Sequence, residues 1–241
     1  MMPPTIYSTQ LCPLHRAPAS ATPRERPILF SAPMVRALLD GTKTQTRRVV
    51  KPRKDRRWGC DLVPHELAGE INSGDFTNTV YGQPSDRLWV REAWQGPLVD
   101  GDVYERQGGN MLPFQKPEYC RYAADGGPRP EYLDADDNMR QGWKPGIHMY
   151  RWASRITLEV TDVRVERLQD ICAADAKAEG IEGQFENGPW RNYGRDGYWF
   201  PEGKDTAPVL SYRSLWEQIN GAGSWAANPW VWVIEFRRIA S

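Results

Sequence analysis

A short polar loop, GTKTQTRR at residues 41–48, carries residue types that could hydrolyse an amide. A turn needs Gly or Asn and a solvated loop tolerates any polar residue, so neither requires Lys43, Thr44 and Thr46 together. A threonine hydroxyl can attack a carbonyl carbon when an adjacent base removes its proton, and a desolvated lysine can be that base near neutral pH. In a turn, Lys43 and Thr46 can share a face. The alternative is a lysine paired with a glutamate across a solvated groove, beside a threonine that caps a strand.

The elements on either side of this loop are predicted from local patterns. PILFSA indicates a short strand starting near Pro27, and PMVRALLDG indicates a helix that begins at Pro33 and ends at Gly41. TQTRRVV is rich in β-branched residues and should re-enter a sheet. Residues 1–26 contain five prolines and no periodicity, which predicts a flexible or loosely docked arm.

Two long strands are predicted in the second half of the chain. In SRITLEVTDVRVERL the apolar alternation slips by one residue at Thr161 and Asp162, which requires a bulge or a sharp bend. PWVWVIEFRRI is apolar at every position of its first part, as in a strand covered on both faces. Together with the helices, this order predicts an α+β fold over residues 27–241: a small closed β-barrel with flanking helices and long loop insertions.

Three segments are predicted to be insertions, at about residues 51–85, 95–146 and 184–206. The first loses the hydrophobic pattern and suggests a surface excursion. The second contains GDVYERQGG and EYCRYAADGG, which resemble a strand pair. The third is rich in Gly, Trp and Tyr.

Two further helices are predicted between and after these strands. ICAADAKAEGI would be capped by Asp170 and ended by Gly180 or Gly183. LSYRSLWEQIN is amphipathic and would end at Gly221.

Composition excludes little, because 31 basic residues balance 31 acidic ones. Cys12, His15, Cys60 and His65 form only a weak zinc pattern that lacks two further ligands, so no metal and no cofactor is predicted. No apolar run has membrane-spanning length and no signal peptide is evident. The expectation is a reduced cytoplasmic protein with free thiols and no membrane partner.

Basic residues follow the loop in a dense cluster opposed only by Asp55, and phosphate groups are their expected ligands; a solvated loop is the alternative. The predicted phosphate-binding residues are Arg47, Arg48, Lys51, Arg53, Lys54, Arg56 and Arg57. Aromatic side chains could stack on a base. The candidates are Trp89, Trp94, Trp190, Tyr193 and Trp199.

Four stretches of the chain together resemble the ASCH domain, a member of the PUA-like superfamily of small β-barrels associated with RNA and modified nucleosides. They are ALLDGTKTQTRR, DRLWVREAW, ITLEVTDVRVERLQDICAADAKAEGI and WVWVIEFRRI, and the resemblance spans about Pro27 to Ile239. The opening RPILFSAPMVRALLDG is similar to phage-encoded members, which would place the protein in the host cytoplasm. In a bacterial amidohydrolase of the family that acts on N(4)-acetylcytidine, a Lys-x-x-Thr motif and a Glu on the second helix are catalytic. The resemblance implies these roles for Lys43, Thr46 and Glu179.

Three functions are compatible with the sequence. The first is a nucleoside-processing amidohydrolase that removes an acyl group from the exocyclic amine of a cytidine-type base through Thr46, Lys43 and Glu179. The second is a non-catalytic module that binds a nucleoside, a nucleotide or RNA. The third is a phage accessory protein whose insertions form a protein interface. An enzyme needs the lysine amine within hydrogen-bond reach of the threonine hydroxyl, whereas a binding module needs an open groove.

Overall fold

The computed structural model describes residues 22–133, 138–184, 189–201 and 206–239. Its strands in chain order are β1 (Glu25–Leu29), β2 (Gln45–Val49), β3 (Arg53–Lys54), β4 (Asp61–Leu62), β5 (Arg87–Arg91), β6 (Trp94–Gln95), β7 (Arg121–Tyr122), β8 (Glu131–Leu133), β9 (Met139–Gln141), β10 (Thr157–Arg167), β11 (Trp190–Arg191), β12 (Trp199–Phe200) and β13 (Trp230–Ile239). Its helices are α1 (Ala32–Leu39), α2 (Pro64–Asn72), α3 (Gly101–Arg106), α4 (Ala173–Ala178) and α5 (Ala207–Asn220). The fold is therefore mixed α and β, as predicted.

A five-stranded sheet in the order β1-β5-β10-β13-β2 is the centre of the fold. Its spine is the long antiparallel pair β10 and β13, whose register shifts between Val160 and Asp162. Val160 is buried before the shift and Val163 is buried after it, on the same core. The predicted bulge is confirmed, and its role is to keep apolar side chains of both halves of β10 facing one core.

β13 separates two hydrophobic cores. Trp232, Ile234 and Phe236 pack into the core formed with α1 and α2, whereas Val231 and Val233 pack into the core formed with α4 and α5. An all-apolar strand needs cover on both faces, so this arrangement explains the sequence of β13 and confirms that prediction.

The closed barrel predicted from the sequence is not found. β1 and β2 are the two edges of the sheet, and no backbone pairing joins them among the described residues. They are bridged instead by a side chain, since Arg48 Nη2 donates to the Leu29 carbonyl oxygen at 2.6 Å. A guanidinium that spans this gap holds the edges near each other without a ladder of backbone hydrogen bonds.

The segment 51–85, predicted to be a surface excursion, contributes to the core. It contains the short β3–β4 hairpin and α2, and it buries Leu62, Leu67 and Ile71 in the first core. Pro64 starts α2 at a position where its missing N–H costs nothing. The apolar pattern was too short for a sequence-based prediction because α2 buries only two of its nine residues.

We expect Leu67→Ala to lower the free energy of unfolding by about 2–5 kcal/mol, because it would leave a cavity under α2. Val63→Ala is the matched control: Val63 lies directly before α2 and is 40% exposed, so its truncation should change stability by less than about 0.5 kcal/mol. Urea denaturation of the two variants measures both values. Equal, small losses would mean that α2 is not part of the cooperative core.

The segment 95–146 differs from its prediction. GDVYER forms α3, capped by the Asp100 carboxylate, which accepts from the Asp102 N–H at 2.9 Å. EYCRY contributes β7, which pairs with β6 rather than with GDVYER. The feature that favours a helix over a strand here is the side-chain cap at Asp100, and the spacing of apolar residues does not reveal it.

The two predicted helices in the second half are present with shifted ends. α4 is capped by Cys172 instead of Asp170, which lies in the preceding 3-10 turn, and the positive φ of Gly180 follows its end. α5 starts at Ala207 and ends before Gly221. The described part of the segment 184–206 includes the β11–β12 hairpin.

The amino-terminal arm lies outside the described residues up to residue 21, as do Cys12 and His15. β1 begins at Glu25, two residues before the predicted start. Cys60, Cys120 and Cys172 are free thiols, as predicted. None of the described helices has the length and apolar character needed to cross a membrane.

Candidate active site

The polar loop joins α1 to β2, and the end of α4 lies against it. Gly41 adopts φ +76°, and the N–H groups of Thr42 and Lys43 donate to the Ala37 carbonyl oxygen to close α1. A short bridge then pairs Lys43 with Glu179, 136 positions apart in the chain. The loop therefore receives its carboxylate from α4 through backbone pairing.

Gly180 permits this close approach. A Cβ atom at position 180 would lie 2.9 Å from the Lys43 Cβ and 3.0 Å from the Ala37 Cβ, and the residue also has φ +78°. Only glycine satisfies both conditions without strain. The glycine that ends α4 thus also sets the distance between Lys43 and Glu179.

Lys43 and Glu179 form a buried ion pair. The Lys43 Nζ and the Glu179 Oε2 are 2.8 Å apart, and their side chains are 1% and 5% exposed. Nζ also donates to the carbonyl oxygens of Gln45 and Glu179, each at 2.8 Å, so all three of its hydrogens have acceptors. Burial lowers the pKa of the Lys43 amine below its usual value, although the Glu179 carboxylate opposes that shift.

Thr46 lies on β2 and pairs with Ile234 on β13. Its side chain lines a pocket between β2 and α5, and Lys43 and Glu179 line the same pocket. Its hydroxyl makes no hydrogen bond with the part of the chain that the structure describes, and the expected contact between the lysine amine and this hydroxyl is not formed. The reason is that Nζ is occupied by Gln45 and Glu179. The predicted triad is brought together in one pocket wall, but the lysine contacts only the glutamate.

Arg47 is a buried member of an ion-pair network rather than a phosphate-facing cation. Its Nη2 atom lies 2.7 Å from Glu166 Oε1 and 2.9 Å from Asp175 Oδ2, and its Nη1 lies 3.4 Å from Glu179 Oε1. Nη1 also donates to the Gln45 side chain. Because carboxylates match its charge, Arg47 supplies no free charge for a phosphate, and only its Nε lacks an acceptor among the described residues.

The pocket has a volume of about 330 Å³ and lies between β2 and α5. Its aromatic lining comes from Tyr81, Tyr212 and Trp216. Burial raises the pKa of Tyr212 well above its usual value, and the nearby Glu179 carboxylate adds to this, so the phenol stays protonated. Two buried donors among these lining residues, Arg47 Nε and Trp216 Nε1, have no acceptor among the described residues.

None of the aromatic residues proposed from the sequence lines this pocket: Trp89, Trp94, Trp190, Tyr193 and Trp199 all lie elsewhere. Trp94 is buried in a separate cluster, and Trp190 is buried in the core of α4 and α5 without lining the pocket. For Tyr212 and Trp216, the sequence did contain a signal: they are four positions apart on α5, which places both side chains on one face of the helix. Tyr81 had no signal, because it lies in the segment that lacked a hydrophobic pattern.

The structure divides the predicted basic cluster into two groups. Arg48 and Lys51 line the pocket and have no carboxylate partner among the described residues. Arg53, Arg56 and Arg57 are directed to the loop at 75–78, where Arg57 pairs with Asp75 at 2.9 Å. Lys54 is exposed on β3. Only the first group could bind a phosphate at the pocket.

Comparisons of the chain with models of protein families, with curated proteins and with solved structures find no match. Any assignment of function therefore depends on the residues and on their geometry.

Proposed function

We propose that the protein is a nucleoside-processing amidohydrolase that removes an acyl group from the exocyclic amine of a cytidine-type base. One observation carries the proposal: Lys43, Thr46 and Glu179, predicted from two distant stretches, meet in the wall of one pocket, with the lysine and glutamate as a buried pair at 2.8 Å. Buried titratable pairs in a cleft are typical of catalytic sites.

The pocket suits a nucleoside in size and lining. Its volume of about 330 Å³ lies within the range usual for small-molecule sites. Tyr81 can stack on a base, and Arg48 and Lys51 can bind a 5′-phosphate if the ligand is a nucleotide. The unpartnered Nε1 of Trp216 and Nε of Arg47 can donate to oxygen atoms of the ligand.

The proposed reaction proceeds in two steps, through an ester of Thr46. The Thr46 Oγ attacks the acyl carbon while its proton passes to a neutral Lys43 amine, whose own proton has moved to the Glu179 carboxylate. Glu179 returns that proton to the leaving exocyclic amine, which leaves Lys43 as the ammonium and Glu179 as the carboxylate. Water then adds to the threonine ester, one of its protons passes to the Thr46 oxygen as that oxygen leaves, and the acyl group departs as a carboxylic acid. The step requires the lysine amine to exchange one of its present partners for the Thr46 hydroxyl. Its lowered pKa favours the neutral form that this needs.

Assignment of the fold to the PUA-like ASCH class is part of the proposal. What supports it is the order of the elements, the five-stranded sheet and the Arg48 side chain that bridges the two edge strands near Leu29. The catalytic roles of Lys43, Thr46 and Glu179 are those that the resemblance implies.

A non-catalytic module that binds a nucleoside, a nucleotide or RNA in the same pocket is the second candidate. The observation that favours it is the complete hydrogen bonding of the Lys43 amine, which leaves no donor or lone pair directed at Thr46. In that case the ion pair would serve to shape the pocket.

Incubation with a panel of N-acylated cytidines, followed by chromatography for released cytidine, decides between the two. We expect release by the parent protein and none by a Thr46→Val preparation made in parallel, which controls for contaminating hydrolases. Thr44→Val is the matched variant, because Thr44 lies in the same loop, is exposed and does not line the pocket. Binding of cytidine without release from any acylated form would establish the second candidate instead.

A further inference from the structure

Trp58 differs from every other tryptophan because it is held away from the protein. The residue is 81% exposed, whereas the other ten tryptophans are all buried or half-buried. It lies at the tip of the β3–β4 hairpin, defined here as residues 55–60. Tryptophan carries a large apolar surface and a polar N–H, and for this reason it is enriched at interaction sites.

A polar network anchored by two buried side chains holds the backbone of the hairpin tip. The Asp55 Oδ1 accepts from the N–H groups of Arg57 and Trp58, each at 2.7 Å, and its Oδ2 accepts from the Asn78 Nδ2 at 2.8 Å. The Asn78 Oδ1 accepts from the Arg56 N–H at 2.9 Å. Asp55 and Asn78 are both buried. These bonds hold the backbone N–H groups of residues 56–58, which positions the Trp58 backbone at the tip of the hairpin.

A cleft of about 500 Å³ lies beside the hairpin, and Arg24, Arg26 and Arg56 line it. We call it the arginine cleft. Its two carboxylates are already paired, Asp86 with Arg26 at 2.8 Å and Asp75 with Arg57 at 2.9 Å. The Arg24 guanidinium has no hydrogen bond or ion pair with the described residues, and Arg56 uses only Nη1, on the Thr77 carbonyl oxygen. The cleft therefore keeps unused guanidinium donors, as an anion site requires.

Neighbouring positions of one segment, 79–83, line the arginine cleft and the pocket. Tyr81 lines the pocket, whereas Thr79, Gly82 and Gln83 line the cleft. Because the two sites are adjacent along this segment, a ligand that occupies both needs a repeating unit. The repeating unit that offers an aromatic face and a phosphate at each step is a nucleotide.

We propose that the hairpin tip and the arginine cleft form a second nucleotide site, so that the protein takes a single-stranded polynucleotide rather than a free nucleoside. Trp58 stacks on an unpaired base, and Arg24 and Arg56 bind the phosphates that lead from it towards the pocket. The choice of a nucleic-acid ligand rests on the proposed function, but turnover is not needed for this binding.

The test is fluorescence anisotropy of a labelled, unmodified single-stranded RNA oligonucleotide at several salt concentrations. We expect Trp58→Ala to weaken binding about tenfold with an unchanged salt dependence, and Trp58→Phe to recover most of the affinity. Arg24→Gln combined with Arg56→Gln should lower the slope of log affinity against log salt by about 0.7 for each phosphate that the variant no longer neutralises. Tyr150→Ala and Arg129→Gln are matched controls, since both side chains are exposed outside this region.

The outcomes separate this site from the hydrolase. Oligonucleotide binding that depends on Trp58, in a protein that releases no cytidine, would uphold the second site and reject the enzyme. Release of cytidine from free nucleosides, with oligonucleotide binding that is absent or unaffected by Trp58→Ala, would reject the second site and keep the enzyme. Equal dependence on Trp58 for a duplex of the same sequence would also overturn the inference, because stacked bases in a duplex leave no face for the indole.

Discussion

Lys43→Arg should reduce the rate of cytidine release from N-acylated cytidine at neutral pH by roughly a thousandfold. Arginine keeps the positive charge and the ion pair with Glu179 but cannot give up a proton in a protein. Thr46→Val removes the attacking oxygen with little change of shape and should have an effect of similar size. The double variant should be no slower than either single one, because residues that act in one step cannot be removed twice.

The measurement is a single-turnover rate, accompanied by a thermal melt to confirm folding. Lys54→Arg is the matched control, since Lys54 is exposed on β3 and has no role in the pocket. Thr46→Val also guards against failure of Lys43→Arg to fold, because the larger guanidinium must fit a side-chain site that is 1% exposed. Parental rates in Lys43→Arg would eliminate lysine as the base, and parental rates in Thr46→Val would eliminate threonine as the nucleophile.

Arg47→Met should destabilise the fold by about 1.5–3 kcal/mol at neutral pH, because it removes the buried cation that three carboxylates share. The loss stays below that of a fully unpaired buried charge, since Arg164 still pairs with Glu166 and Asp175, and Lys43 still pairs with Glu179. Arg237→Met is the matched control: that arginine is 68% exposed and pairs with Glu159 at the surface, so its loss should cost less than about 1 kcal/mol. Denaturant titration of both variants gives the two free energies.

The destabilisation should shrink as the pH falls. In the parent protein the pKa of Asp175 is held below its usual value against the effect of burial, by a hydrogen bond from Gln45 and by the charges of Arg47 and Arg164. A carboxylate with a lowered folded-state pKa stabilises the fold above its unfolded pKa of about 3.9 and loses this contribution as the pH falls through the folded value. Arg47→Met removes much of that contribution. A difference between variant and parent that grows towards acid pH would contradict the assigned network.

The strands and the first helix could be predicted because their signals are local. Pro33 and Gly41 mark the ends of α1 through backbone constraints that act within a few residues. The parity slip at Thr161 and the all-apolar start of β13 follow from the two-residue period of strands. The helix α2 and the helical state of GDVYER were missed, since the first buries only two side chains and the second depends on capping by Asp100.

By itself, the sequence determined which chemical groups this protein can use: an amine and a hydroxyl three positions apart after the first helix, and a carboxylate at the end of a later helix. Only the tertiary structure decided how they meet. The contact of Lys43 with Glu179 depends on a bridge between segments 136 positions apart and on the space that Gly180 leaves. The burial of Arg47 among carboxylates and the choice of Tyr81 and Tyr212 as pocket walls were likewise set by packing across the sheet. The reason is that residue type and spacing fix what a side chain can do, whereas burial and partners come from elements that are close only after the chain has folded.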